Sequence, residues 1–208
     1  MKEETIKYRL HPWHGLNLGK ESPRLVNCYI EIVPTDTVKY EIDKETGILK
    51  VDRPHKYSSL CPSLYGLLPR TYAGKKTAEY CMEKTGKTGL IGDGDPIDIC
   101  VLTEKVIIHG DIIVKAIPIG GFRLLDGNEV DDKIIAVMED DLVYGEMNDI
   151  EKCTQGFIER LRHYFLTYKD APGTQSSQVE ITHIYGREEA QKVISLGSQD
   201  YNDKFNNA

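Results

Sequence analysis

Gly92-Asp93-Gly94-Asp95-Pro96-Ile97-Asp98, running on into Ile99-Cys100-Val101-Leu102, is the stretch that decides how this chain is read. Three carboxylates fall within six residues, just before an apolar run of strand type at 97–102. Gly94 permits a tight turn, and Pro96 fixes φ in the loop. Such a loop can point several carboxylates into one space, where like charges are costly unless a cation binds them. A hard divalent cation such as Mg²⁺, which prefers oxygen ligands, meets that cost. The same pattern also suits an acidic, solvated hairpin turn, because Asp and Gly are favoured turn residues. An EF-hand is disfavoured. Ile97 stands at the fifth position of such a loop, where a ligand belongs, and Asp98 at the sixth, where Gly is needed.

Working outward, strand-like runs rich in β-branched residues occupy 26–33, 38–42, 48–51, 112–119 and 133–138. Gly120 and Gly121 are expected to end the fourth of these. Residues 65–93 read as an excursion or loop with little hydrophobic period. At 149–168 the apolar positions Ile150, Cys153, Phe157, Leu161, Phe165 and Tyr168 recur every three or four residues, which predicts an amphipathic helix capped by Asn148 or Asp149. A weaker stripe at 187–205 predicts a second helix, broken or ended at Gly197. Residues 1–25 hold Pro12, Gly15, Gly19 and Pro23 and read as an irregular N-terminal extension. Strands first and helices later predict one α+β domain over 1–208, a small, mostly antiparallel sheet or barrel with helices outside.

The 208 residues carry 26 basic and 33 acidic side chains, a net charge of −7. That balance disfavours nucleic-acid binding, which relies on Lys and Arg neutralising phosphates. It leaves phosphate substrates open, because bound divalent cations reverse the local field. Five scattered Cys, none spaced C-x-x-C, argue against a disulfide framework or a Cys-rich zinc site. No apolar run approaches the ~20 residues of a membrane span, and the charged N-terminus has no secretory h-region. A reducing cytoplasm is the expected compartment.

A second acidic group, Asp126, Glu129, Asp131 and Asp132, leads into Lys133 and reads either as a solvated turn or as ligands. A third, Glu139 to Asp141, reads as surface. Lys39, Arg53 and Lys169 could clamp a polyanion, and Lys39 and Glu41, two apart, share a strand face. Gly86-Lys87-Thr88 resembles the tail of a P-loop, but Cys81 stands where that motif needs Gly.

Together these residues resemble family I soluble inorganic pyrophosphatases. Asp93-Gly94-Asp95-Pro96-Ile97-Asp98 is similar to the family signature. Glu31, the run Lys39 to Lys44, Asp52-Arg53, Tyr65-Gly66, Asp126 through Asp131 to Lys133, and His163-Tyr164-Phe165 through Tyr168-Lys169 follow in the family's order, over 28–170. The resemblance implies an OB-like, five-stranded, mostly antiparallel β-barrel with outer helices and an active site at its mouth. It implies an enzyme, an inorganic diphosphatase with pyrophosphate as substrate. Two core Mg²⁺ ions would sit on Asp93, Asp98 and Asp131, with Asp98 bridging. Further ions would arrive with substrate on Glu31 and Asp126, and Mn²⁺ could substitute. Asp95 would be the general base. Lys39, Arg53, Tyr65, Tyr168 and Lys169 would grip the phosphates, with Glu41 and Lys133 in support. A homo-oligomer is also implied, compact bacterial members being hexamers and longer eukaryotic ones dimers. The chain departs from the pattern at Cys61, where many members have Tyr, at Gly127, where some have Glu, and in the longer 65–93 stretch. The alternatives are an OB-like nucleic-acid-binding module and another metal-dependent phosphohydrolase.

Overall fold

The computed structural model describes residues 9–169 and 178–206. In chain order its strands and α-helices are β1 (Val26–Ile32), β2 (Val38–Ile42), β3 (Leu49–Pro54), β4 (Leu64–Leu67), α1 (Lys75–Thr85), β5 (Ile91–Gly92), β6 (Asp98–Leu102), β7 (Ile112–Asp126), β8 (Glu129–Val130), β9 (Lys133–Met138), α2 (Gln155–Thr167), β10 (Val179–Gly186) and α3 (Arg187–Phe205). Five strands close into a ring. β1 pairs with β4, β4 with β6, β6 with β9, β9 with β7, and β7 returns to β1 through Val26↔Ala116 to Ile30↔Ile112. Only β6 and β9 run parallel within that ring. This is the expected five-stranded, OB-like barrel.

Alternation along β6 and β9 explains both their burial and their continuous apolar sequence. Ile99, Val101, Ile134 and Ala136 enter one core with Val26, Cys28 and Ile30 of β1. Cys100, Leu102, Ile135 and Val137 face the other way and lie under Leu161 and Phe165 of α2. Successive residues point to opposite faces, so a strand covered on both faces reads as unbroken apolar sequence. The β2–β3 hairpin stands apart as a two-stranded ribbon, and β10 pairs with the second half of β7.

Several expectations need correction. β7 does not end at Gly120 and Gly121 but continues to Asp126. A Cβ on Gly121 would come within 2.6 Å of the Tyr185 ring, and one on Gly120 within 2.6 Å of Ile150, so these glycines serve close packing. The stretch expected to be a loop at 65–93 contains α1. Its buried residues are the small Thr77, Ala78 and Cys81, too small to signal a stripe. Its head is capped from a distance, the N–H groups of Lys76 and Thr77 donating to the Asp200 carboxylate of α3 at 2.9 and 3.0 Å. The helix expected at 149–168 is divided: a 3₁₀ turn at Ile150–Lys152, with Asp149 accepting from the Glu151 N–H, precedes α2. Gly197 does not interrupt α3; a Cβ there would meet Ile97 Cδ1 at 2.7 Å. β10 forms where no strand was expected. Asp141 is not surface but buried, accepting from Thr103 Oγ1 and from the N–H groups of Glu104, Val143 and Tyr144.

Residues 1–8 of the expected N-terminal extension, and Asp170, lie outside the described residues. Among the described residues no helix is long and apolar enough to cross a membrane.

Candidate active site

The mouth of the barrel is built by chain segments that the ring brings together. Asp98 opens β6 beside Lys133, its registered partner at the head of β9. Tyr65 lies next door on β4, and Glu31 lies on β1. The loop before β6 carries Asp93 and Asp95, where Gly94 adopts φ +81°, the left-handed conformation that favours glycine. Asp93 Oδ1 accepts from the Asp95 N–H at 2.9 Å, which fixes the turn. The β2–β3 ribbon overhangs the mouth with Lys39, Glu41 and Arg53, and the end of α2 brings Tyr168 and Lys169. All thirteen residues expected from the sequence line one cleft of about 270 Å³.

Eight carboxylates and five Lys or Arg side chains line that cleft among the described residues, a formal balance of −3. The cations are held by the acids. Lys133 Nζ, buried, donates to Asp131 Oδ1 at 2.5 Å and to Asp98, which also accepts from the Tyr65 hydroxyl. Lys169 donates to Asp126 at 2.5 Å. Lys39 pairs with Glu41 and Asp52, each at 3.0 Å, and Arg53 pairs with Asp52. The Arg53 guanidinium lies 5.8 Å from the Tyr168 ring centre. Asp95 pairs with Lys44.

Burial sets the charge states. Asp93 is pushed up to about 8, first by desolvation and then by the charge of Asp131. Glu31 is also pushed up to about 8 by burial, although its Oε1 accepts from the Ile42 N–H at 2.7 Å. Burial works against the Lys133 ammonium, but Asp131 and Asp98 outweigh it and hold its pKa well above the ordinary value. Tyr65 is raised by burial and by the charges of Asp98 and Asp131, so it remains a neutral donor.

The donor set suits a hard cation: the carboxylates crowd together, and two of them, Asp93 and Glu31, resist ionisation until positive charge arrives. No three Asp, Glu, His or Cys side chains among the described residues stand as a finished metal cage. Lys133 instead spans Asp98 and Asp131. Sequence reading missed Lys44, Glu129 and Asp52 as members of this neighbourhood. Lys44 belongs to the run Lys39 to Lys44 already singled out, Asp52 to the pair Asp52-Arg53 and Glu129 to the second acidic group, so all three signals were present without a role attached.

Fold and cleft define a class: a closed barrel whose mouth gathers acids and flanking cations in one cleft. A model of the inorganic pyrophosphatase family matches residues 28–202. The inorganic pyrophosphatase of Chlamydia muridarum is 54% identical over 200 residues, covering 94% of this chain and 96% of that one. Soluble inorganic pyrophosphatase 2 of Chlamydomonas reinhardtii is 34% identical over 195 residues, covering 94% and 90%. Among solved structures, the inorganic pyrophosphatase from Thermus thermophilus superposes with a TM-score of 0.76 at 25% identity, covering 93% of this chain and 99% of that one. That from Helicobacter pylori gives 0.73 at 28%, covering 90% and 98%. The chain belongs to the inorganic pyrophosphatase family, in its soluble family I form.

Proposed function

We propose that this chain hydrolyses inorganic pyrophosphate to two orthophosphates with the help of Mg²⁺, for which Mn²⁺ can substitute. The observation that carries the reading is the −3 balance of a cleft that nevertheless holds five Lys and Arg side chains. A bare polyanion is repelled by such a cleft, whereas a polyanion with divalent cations finds acids for the metal and bases for the phosphate. Asp93, Asp98 and Asp131 would hold two core ions, with Asp98 shared between them. Glu31 and Asp126 would hold those that enter with substrate. When bound, such ions neutralise charge and make a water acidic enough to attack at neutral pH.

Asp95, on the loop rim and half-exposed, accepts the proton of the attacking water. The water oxygen bonds to one phosphorus, the bridging P–O bond breaks, and the bridging oxygen leaves on the second phosphate. Lys39, Arg53 and Lys169 stabilise the charge gathering on that leaving group, and the Tyr65 and Tyr168 hydroxyls donate to phosphate oxygens. Lys169 and Asp126 share one ion pair in the resting cleft. Phosphate at Lys169 and a cation at Asp126 therefore favour each other's binding. Glu41 and Lys133 keep the neighbouring charges in place.

The five free cysteines suit a reducing cytoplasm, and exposed Val106 and Leu142 offer apolar surface for a homo-oligomer. The test is phosphate release from pyrophosphate with Mg²⁺ and with chelator, beside ATP and a simple phosphate ester. Rapid Mg²⁺-dependent release from pyrophosphate alone is expected. Faster release from ATP would assign a different phosphohydrolase, and no release by folded protein would remove the reading.

A further inference from the structure

Residues 131–133 alternate as a strand does. Asp131 and Lys133 face the cleft and bond to each other, while Asp132 between them points back toward β10 and α3. Asp132 is 8% exposed. Its Oδ2 accepts from the Tyr185 hydroxyl at 3.1 Å and from Arg123 Nη2 at 3.4 Å. Arg123 is fully buried, its guanidinium 5.2 Å from the Tyr80 ring centre and 5.0 Å from that of Tyr185, with Nη1 2.8 Å from Glu189 Oε1 on α3. Nothing in the metal or phosphate chemistry uses this buried cluster.

The other oxygen, Asp132 Oδ1, is buried and has no hydrogen-bond partner among the described residues. Asp132 also lines a cavity of about 10 Å³ whose remaining ionisable walls are Asp93, Asp98 and Asp131. That is the space of a single water, in a setting polar enough to hold one. A water there can donate one hydrogen to Asp132 Oδ1 and its other hydrogen to a cleft carboxylate. Two routes then join Asp132 to the cleft, one through the adjoining backbone and one through the cavity.

We infer that Asp132 is a positioning residue: seated by Arg123 and Tyr185, it fixes from behind the carboxylates of Asp131 and Asp93 that face the cleft. The inference rests on the reading of those carboxylates as Mg²⁺ ligands. It predicts that α3 and β10, which never touch the cleft through Glu189 and Tyr185, tune its metal affinity.

The readout is Mg²⁺ binding to the full chain by titration calorimetry without pyrophosphate, alongside thermal melting in chelator. Asp132→Ala is expected to raise the Mg²⁺ dissociation constant roughly ten-fold, the scale of losing a support behind a metal ligand. Turnover at saturating Mg²⁺ should change far less. Tyr185→Phe, which removes one hydroxyl and keeps the ring over Arg123, shifts affinity in the same direction by a smaller factor. Ile194→Val, a core truncation on α3, lowers the melting temperature and leaves Mg²⁺ affinity unchanged. Unaltered affinity in both Asp132→Ala and Tyr185→Phe overturns the inference, as does equal weakening in Ile194→Val. Should Asp132→Ala fail to fold, Tyr185→Phe decides alone by the same criterion. A wild-type chain that neither binds Mg²⁺ nor hydrolyses pyrophosphate would sink the proposed function and this inference together. A wild type that does both, with variants that match it, removes only the role of Asp132.

Discussion

Replacing Lys133 with Met tests whether one buried ammonium holds the cleft carboxylates together. Met keeps the length of the stem and deletes the charge. The ammonium is 4% exposed, and among the described residues it alone pairs with both Asp98 and Asp131, at side-chain exposures of 22% and 20%. Breaking a buried pair by removing one partner costs about 3–5 kcal/mol, because the remaining charges stay uncompensated. For a chain of this size each kcal/mol moves the melting temperature by about 2–4 °C, so a fall of roughly 6–20 °C is expected in chelator. The pH dependence has a definite sign. Asp93 already has a folded-state pKa near 8, above its ordinary value of 3.8, so its contribution to stability is present at low pH and is lost as pH rises toward 8. Lys133 is one of the charges that lowers it. The deficit of Lys133→Met should therefore widen between pH 7 and pH 9 and narrow when Mg²⁺ is added. Thermal melts in chelator and in Mg²⁺ at both pH values measure this. A deficit under about 1 kcal/mol, or one indifferent to pH, would refute the idea that Lys133 offsets the acid cluster.

The remaining expectations concern chemistry and scaffold. Asp95→Asn should lower kcat by roughly 10²–10⁴ with an unchanged melting curve, as loss of a general base does; wild-type turnover would remove Asp95 from that role. Asp98→Ala should weaken Mg²⁺ binding as well as turnover, and an unchanged metal titration would defeat the shared-ligand assignment. Asp141→Ala should cost about 1–3 kcal/mol, since four donors lose their acceptor. Those donors, led by the Tyr144 N–H, outweigh burial and hold the Asp141 pKa below 3.8, so its contribution is complete above that value and lost as pH falls through the folded one. Acid unfolding of the variant should thus be less steep below pH 4, which a urea series at several pH values would report. Gly66→Ala would set a Cβ 1.9 Å from the Tyr29 carbonyl oxygen, backbone that cannot swing aside. It should destabilise by about 1–3 kcal/mol or more, and a neutral result in urea unfolding would show that β1 and β4 can part.

The barrel strands were legible because their chemistry is local. Val38–Ile42 and Lys133–Met138 match the expected bounds, and β-branched alternation needs no distant partner to be recognised. What was not legible depends on residues far away in sequence. α1 hides because its cap is Asp200, on a helix at the other end of the chain, and because its buried face is Thr77, Ala78 and Cys81. Gly120 and Gly121 look like a stop until Tyr185 and Ile150 are seen packed on them. In the cleft, residue types and order pointed to a metal and phosphate chemistry, but not to the resting pairings. That Lys169 rests on Asp126, or Lys44 on Asp95, follows from loops that only the closed ring brings together. Asp132 was grouped with its acidic neighbours, although the chain leading into β9 turns it away from the cleft and toward Arg123 and Tyr185.

Closure of the ring through Val26↔Ala116 also bears on how the chain is made. β1 leaves the ribosome first, yet its partner on one side follows about ninety residues later. At roughly 5–20 residues per second, the nascent β1 waits several seconds or more with an unpaired apolar edge. β4 arrives sooner and can shield the other edge, but β1 is paired on both sides only when β7 emerges, and the barrel becomes edgeless only when β9 follows and joins β6 to β7. The mature molecule thus has little exposed ladder in its barrel, while its synthesis passes through an interval open to strand exchange between neighbouring chains. A slow translation pause placed before β7 should lower soluble yield, whereas the same pause after β10 should be harmless.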